Sequence, residues 1–282
     1  MNLNYIISLF IILIIFYYFL SYKKRNLIYI CFKGKNYSEL AKLLIRSIDT
    51  FLLRDDVDIL IITDSYSLQF ITNWLYKEWI PKNKYINFLY LTSDEPYYLY
   101  RFIINDDIFK NYHKILYLDT DILITSYSIN NLFDEPLNDK LHVIIEHNNY
   151  NNYEHVLQDS LYTNQQQLEL QHKNIYPFNN GQFIFIYSSD MKNHFNNIIN
   201  LIKTKKYNLF IDQQAMNTYF NKLFLTESNI LDKYTKLFAT DYIITNDNKN
   251  KCIMHFCGNI HNGIKKQDKM LQFLELNNIN LN

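Results

Sequence analysis

Residues 115–121 read Ile115-Leu116-Tyr117-Leu118-Asp119-Thr120-Asp121, four apolar residues running into two carboxylates. A short apolar run that stops at polar residues predicts a buried strand, here Lys114 to Leu118. Along an extended chain, side chains at i and i+2 project to the same side. Asp119 and Asp121 therefore address one point beyond the strand's carboxyl end. Two carboxylates so placed can hold one hard divalent cation, which can also bind the oxygens of a diphosphate. Such an ion offsets the charge that gathers on a departing diphosphate. An Asp-x-Asp pair alone also describes an ordinary polar strand end, so the rest of the chain decides its meaning.

Upstream, Leu27 to Phe32, Val57 to Thr63 and Ile86 to Leu91 are short apolar runs that read as strands. Ser38 to Leu53 places Leu40, Leu43, Leu44 and Ile48 at helical intervals. Leu68 to Trp79 reads as a helix, and Tyr98 to Phe109 as a helix leading toward Asp119. Downstream, His142 to Glu146, Gly181 to Tyr187 and Cys252 to Phe256 read as strands, and Met191 to Lys203 and Gln213 to Asn221 as helices. This alternation predicts an α/β fold, a single Rossmann-like domain wound on a mixed central sheet. Such sheets bind ligands in the crevice outside the carboxyl ends of their strands, where Asp119 falls. Residues 147–176 are polar, Asn/Gln-rich and poorly periodic. They are expected to form a long excursion over the site, as lids and substrate contacts do.

The 282 residues, 48% of them apolar, suffice for one sizeable core, and 28 basic residues balance 28 acidic ones. That balance gives no electrostatic case for a nucleic-acid partner. With four glycines and four prolines, no linker or collagen-like reading has support. The bias toward Ile, Asn, Lys, Tyr and Phe matches AT-rich coding, and with 25 tyrosines any one of them is more often packing than function. Three cysteines, Cys31, Cys252 and Cys257, make no disulfide framework. Cys252 and Cys257 flank His255, but a zinc site needs four spaced ligands, so a strand carrying small thiols is the plainer reading.

Residues 5–22 carry no charge. As a helix they would extend about 27 Å, enough for a bilayer core. A membrane anchor over residues 1–25, basic flank included, followed by one catalytic domain over residues 26–282, is the expected organisation. No positive segment precedes the run and no small-residue cleavage site follows it, which argues against a secretory signal. Lys23, Lys24 and Arg25 come directly after it, so the positive-inside rule places the domain in the cytoplasm. The sequon Asn36-Tyr37-Ser38 lies in a segment assigned below to nucleotide binding. A glycan there would obstruct the site, in keeping with the same orientation.

Three further motifs follow the Asp-x-Asp in order: Phe178-Asn179-Asn180-Gly181-Gln182-Phe183, Ile211-Asp212-Gln213, and His255-Phe256-Cys257-Gly258. The ordered set resembles glycosyltransferase family eight, the glycogenin and lipopolysaccharide galactosyltransferase group, over roughly residues 27–270. The resemblance implies a GT-A type fold, a metal ion such as Mn2+ or Mg2+, and a nucleotide-sugar donor, with UDP-sugar the first expectation. It implies that Asp119 and Asp121 bind metal and donor, and that His255 is the third metal ligand, an imidazole suiting manganese. Asn179 and Gly181 would face the sugar, with Gly181 allowing close backbone approach. Asp212 and Gln213 would lie beside the reacting anomeric carbon. Asp212 is also a natural cap for the helix that follows. Tyr37 would stack on the uracil, Arg101 would lie over the donor, and Gly258 would belong to the diphosphate loop. The family pattern His-x-x-Gly-x-x-Lys departs here, with His261 in the lysine position. Lys266, shortly after Gly263, is the candidate phosphate contact.

The resemblance implies transfer with retention of anomeric configuration to a glycan, lipid or protein acceptor that the sequence does not name. Self-glycosylation on a tyrosine and a homodimer both remain open. Two other readings stand beside this one. Haloacid-dehalogenase phosphohydrolases also end an apolar strand in Asp-x-Asp, though on their first strand and with Thr or Val where Leu123 stands here. A nucleotide-sugar binding module without catalysis is the second.

Overall fold

The computed structural model describes residues 24–146, 164–173, 175–204, 211–238, 250–257 and 266–281. The apolar run at residues 5–22, most of the expected excursion (147–163), and Gly258, His261 and Gly263 lie outside the described residues. Among the described residues, no helix is long and apolar enough to cross a membrane.

Three parallel strands, β1 (Arg25–Cys31), β2 (Val57–Thr63) and β3 (Phe88–Thr92), open a seven-stranded sheet. β4 (Tyr112–Leu118) lies on the other side of β1 and is parallel to it. β7 (Phe178–Ile186) runs antiparallel to both β4 and β6 (Leu141–Ile145). The two-residue β8 (Thr226–Glu227) pairs parallel with β6 and completes the order β3-β2-β1-β4-β7-β6-β8. The mixed central sheet expected from the alternation is present, and most of its pairings are parallel.

Both faces of this sheet are covered, which is why its central strands are apolar throughout and not alternating. Ile28 and Ile30 of β1 point to one core, shared with Leu44, Ile45 and Ile48 of the helix Lys35–Phe51. Leu27 and Tyr29 point to the other, which gathers Tyr117, Phe183, Phe185 and Phe195. There the helix Ser189–Thr204 presents Met191, Phe195, Ile198 and Ile202, one apolar stripe at helical spacing.

Three features depart from expectation. Tyr98 to Phe109 is not one helix: a 3₁₀ turn, Tyr97–Phe102, is followed by a separate short helix, Asp106–Phe109. The break has a local cause. Ile103 is extended, and the Asn105 side chain accepts a hydrogen bond from the Asp107 N–H at 3.0 Å, capping a new helix. Within the expected excursion, Asn164–His172 is helical, as its Gln, Leu and Glu residues favour. Finally, a second sheet follows the Asp-x-Asp, with β5 (Ile122–Ile124) antiparallel to β10 (Ile253–His255) and β10 parallel to β9 (Thr235–Leu237). A three-residue strand is too short for periodicity to reveal.

Candidate functional site

A crevice of about 560 Å³ opens at the carboxyl ends of β1 and β4, lined among others by Phe32, Tyr37, Arg101, Asp119, Asp121, Glu146, Asp212 and Gln213. Here the helix after β1 leads to β2 on one side while β4 lies on the other. That divergence is what opens a crevice in an α/β sheet.

Asp119 and Asp121 occupy the turn between β4 and β5. The register of the small sheet sets His255 opposite Ile122, the residue after Asp121, and the Phe256 N–H donates to the Asp121 carbonyl at 2.9 Å. His255 Nε2 consequently lies 3.2 Å from Asp121 Oδ1, with the ring buried. One ligand atom from each of Asp119, Asp121 and His255 falls within 4.8 Å of the others.

β7 supplies the floor. Its ladder to β6 jumps from Phe183 to Asn179 across a single step of β6, leaving Asn180, Gly181 and Gln182 as a bulge on that side. Bulges of this kind re-aim a strand beside a site. The Gly181 carbonyl accepts from the Asp119 N–H at 2.7 Å, and the Asn179 side-chain oxygen accepts from the Gly181 N–H at 2.9 Å. A Cβ on residue 181 would stand 2.3 Å from His255 Cε1 and 2.9 Å from Asp119 Oδ2, so only glycine fits.

Arg101, on the 3₁₀ turn, bridges two acids. Its Nη2 is 3.2 Å from Asp119 Oδ1 and 3.2 Å from Asp212 Oδ2, and its Nη1 donates to the Asn180 carbonyl at 3.0 Å. The guanidinium also lies 5.2 Å from the centre of the Tyr117 ring, and the Tyr117 hydroxyl donates to Asp119 Oδ1. Thus Oδ1 of Asp119 is held by the protein, while Oδ2 faces the His255 side.

The two motif acids differ electrostatically. Burial, reinforced by the Asp121 charge, pushes Asp119 above the usual carboxylate range, although Arg101 opposes it. Burial would raise Asp121 too, but His255 and the Lys266 ammonium outweigh it and hold that carboxyl well below the usual range. Lys266, the first residue of the helix Lys266–Leu276, pairs directly with Asp121 Oδ2.

The residues present fit a divalent cation. Two acids and an imidazole are a donor set suited to manganese or magnesium. The 3.2 Å between His255 Nε2 and Asp121 Oδ1 would let both atoms reach one ion at bonds of about 2.1–2.2 Å. The glycine floor leaves the space beside them clear.

Of the other expected residues, Tyr37 is half exposed on the first turn of its helix and lines the crevice. Asp212 lies inside the first turn of the helix Ile211–Lys222, so it faces the helix's positive end without being its cap. Gln213, on the same turn, donates through Nε2 to Glu146 Oε2 at 2.7 Å. Glu146 and Tyr97 were not anticipated as lining residues. The rule that singled out Asp119, a charge at the carboxyl end of an apolar strand, applies equally to Glu146. Neither Cys252 nor Cys257 joins the His255 cluster, and all three cysteines are free.

No protein-family model and no curated protein matches the sequence. Solved structures do match. The apo structure of the bifunctional glycosyltransferase WbbM aligns with TM-score 0.60 at 15% identity, over 93% of this chain and 53% of that one. An active-site mutant of LgtC aligns with TM-score 0.52 at 14% identity, over 90% of this chain and 95% of that one. The apo form of the glycosyltransferase GlyE of Streptococcus pneumoniae TIGR4 aligns with TM-score 0.51 at 14% identity, over 83% and 55%. The chain spans about half the length of the WbbM and GlyE chains. At such low identity the likeness speaks to architecture, and the architecture it shows is the GT-A-like fold of glycosyltransferases.

Proposed function

We propose that the protein is a metal-dependent hexosyltransferase of the family-eight type, taking its sugar from a nucleoside-diphosphate donor and retaining anomeric configuration. UDP-sugars are the first donors to test. The observation that carries the reading is the convergence of Asp119, Asp121 and His255 around the Gly181 floor, at the mouth of a crevice in a glycosyltransferase-like fold.

Asp119, Asp121 and His255 would hold the ion, which when bound supplies positive charge against the donor's diphosphate. Lys266 stands at the same edge of the crevice and is the cation placed to reach a phosphate oxygen. Arg101 holds Asp119 and Asp212 in one frame, so the metal side and the sugar side of the site cannot drift apart. Asn179, its oxygen already committed to Gly181, is left with its NH2 to donate to a sugar hydroxyl. Tyr37 offers an exposed ring at the mouth, suited to stacking on a base. Asp212 and Gln213 line the same crevice, Asp212 sharing the Arg101 guanidinium with Asp119, and they would flank an oxocarbenium-like centre there. Retention and the choice of uracil rest on the resemblance of the four ordered motifs. Membrane anchorage through residues 5–22 with a cytoplasmic domain belongs to the same proposal and rests on the uncharged run and its basic flank.

The phosphohydrolase alternative needs Asp119 as a free nucleophile. Tyr117 and Arg101 both engage Oδ1 of that carboxylate, which disfavours the role.

The test is release of nucleoside diphosphate from a panel of nucleotide sugars by the full chain with manganese. Turnover of at least one donor is expected, abolished by chelator and lowered at least about 100-fold in Asp121→Ala. Turnover that survives both treatments would refute the metal site, and hydrolysis of an aryl phosphate in place of sugar donors would refute the reaction class.

A further inference from the structure

Glu146 directly follows β6 at the rim of the crevice, and its carboxylate accepts from the Gln213 amide at 2.7 Å. We infer that Glu146 is a positioning residue that fixes which end of the Gln213 amide faces the reacting sugar. The inference rests on the transfer reading above and deepens it.

A primary amide has two opposite ends of nearly identical shape, an oxygen that accepts and an NH2 that donates. A carboxylate offers only acceptors to such a group. The NH2 of Gln213 therefore turns toward Glu146, because the reversed amide would set oxygen against oxygen in a partly buried place. The end left to the crevice is Oε1. This assignment follows from the chemistry of the pair and not from the appearance of the amide, whose two ends look alike.

The backbone of Gln213 is held in place. The Gln213 carbonyl accepts from Asn217 Nδ2 at 3.0 Å. Asn217 in turn clasps Phe178 of β7, accepting from its N–H at 2.8 Å and donating to its carbonyl at 2.9 Å. The first turn of the helix is thus tied to the floor strand. Glu146 is tied to the residue just before that strand, its N–H donating to the Pro177 carbonyl at 3.1 Å. Both ends of the Glu146–Gln213 bond are thus anchored at the start of β7.

The orientation matters because the two ends would do opposite things. An oxygen beside an anomeric carbon that gains positive charge lowers the energy of that state, and an NH2 in its place raises it. An oxygen can also accept the proton-bearing side of an incoming hydroxyl, which an NH2 cannot.

The experiment uses the full chain and the donor found in the screen, with Glu146→Gln, Gln213→Glu and the exchanged pair carrying both substitutions. Glu146→Gln lets the amide turn. Its kcat is expected to fall about tenfold or more while the donor KM stays within about threefold, the signature of an interaction realised in the transition state. Gln213→Glu sets two carboxylates against each other and falls at least as far. The exchanged pair restores an NH2 opposite a carboxylate, with oxygen toward the crevice. Its kcat should exceed the product of the two single losses by about tenfold. Multiplicative losses in the pair, or a change confined to KM, would overturn the inference.

A second measurement works without turnover. In the glutamine-labelled chain, the Gln213 side-chain NH2 signal, identified by its loss in Gln213→Glu, should shift markedly in Glu146→Gln. A wild type that turns over no donor would refute the transfer reading. The NH2 signal would then still judge the bond, and a signal unmoved by Glu146→Gln overturns the positioning role.

Discussion

Gly181 shows how closely one residue is constrained by the site around it. Its missing Cβ would overlap the His255 ring, and the ring cannot retreat because it is buried on a paired strand. Gly181→Ala should therefore leave the chain folded but displace the imidazole. Manganese-dependent turnover should fall about 100-fold, the usual cost of moving a reacting group by about 1 Å. Manganese affinity, read by calorimetry, should weaken with it. Unchanged affinity would show that His255 is not a ligand. In the sequence Gly181 stood out only through its place in a motif, since the clash depends on a strand near the other end of the chain.

At the scale of elements, β7 links stability to the site. Phe183 lies within an aromatic cluster, its ring centre 4.8 Å from Tyr117, 5.7 Å from Phe195 and 6.2 Å from Phe185. Phe183→Ala should cost about 3–5 kcal/mol through lost burial and the cavity left behind. A urea midpoint will read that loss. Tyr117 both stacks on Phe183 and donates to Asp119, so the variant should also lose turnover at temperatures where it remains folded. The existence and kind of most long elements were legible, because strands such as Val57–Thr63 and helices such as Lys35–Phe51 carry clear apolar patterns. β5, β9 and the Ile103–Asn105 break were not, since each spans about three residues and depends on a partner or cap elsewhere.

At the scale of the molecule, one carboxylate secures the amino ends of three neighbouring strands. Asp58 of β2 accepts from Arg25 of β1 through Nε at 3.0 Å and Nη2 at 2.6 Å, from the Tyr112 hydroxyl of β4 at 2.8 Å, and from Asn87 at 2.9 Å. Burial alone would raise its pKa, but these donors, Arg25 foremost, hold it below the usual value. A carboxyl lowered in the folded state binds fewer protons there than in the unfolded chain, so its contribution is complete above about pH 4. It disappears as acid carries the pH down through the lowered value. Asp58→Asn should cost about 1–3 kcal/mol near pH 7, and the gap to wild type should close below about pH 4. Urea midpoints across that range will show it. A gap that persists into acid would mean that shape and not charge sets the contribution.

Local features could be read straight from the chain: strand and helix periods, the Asp-x-Asp at the end of a buried strand, and the order of four motifs. Those follow from side-chain spacing and apolar pattern, which need no distant partner. Which residues meet emerges only in the folded chain. The pairing of β5 with β10 carries His255 to Asp121, the bulge in β7 raises Gly181 beneath them, and the packing of two separate elements joins Glu146 to Gln213. Each is a contact between segments far apart in the chain, set by strand register and core packing, which no single stretch of residues encodes.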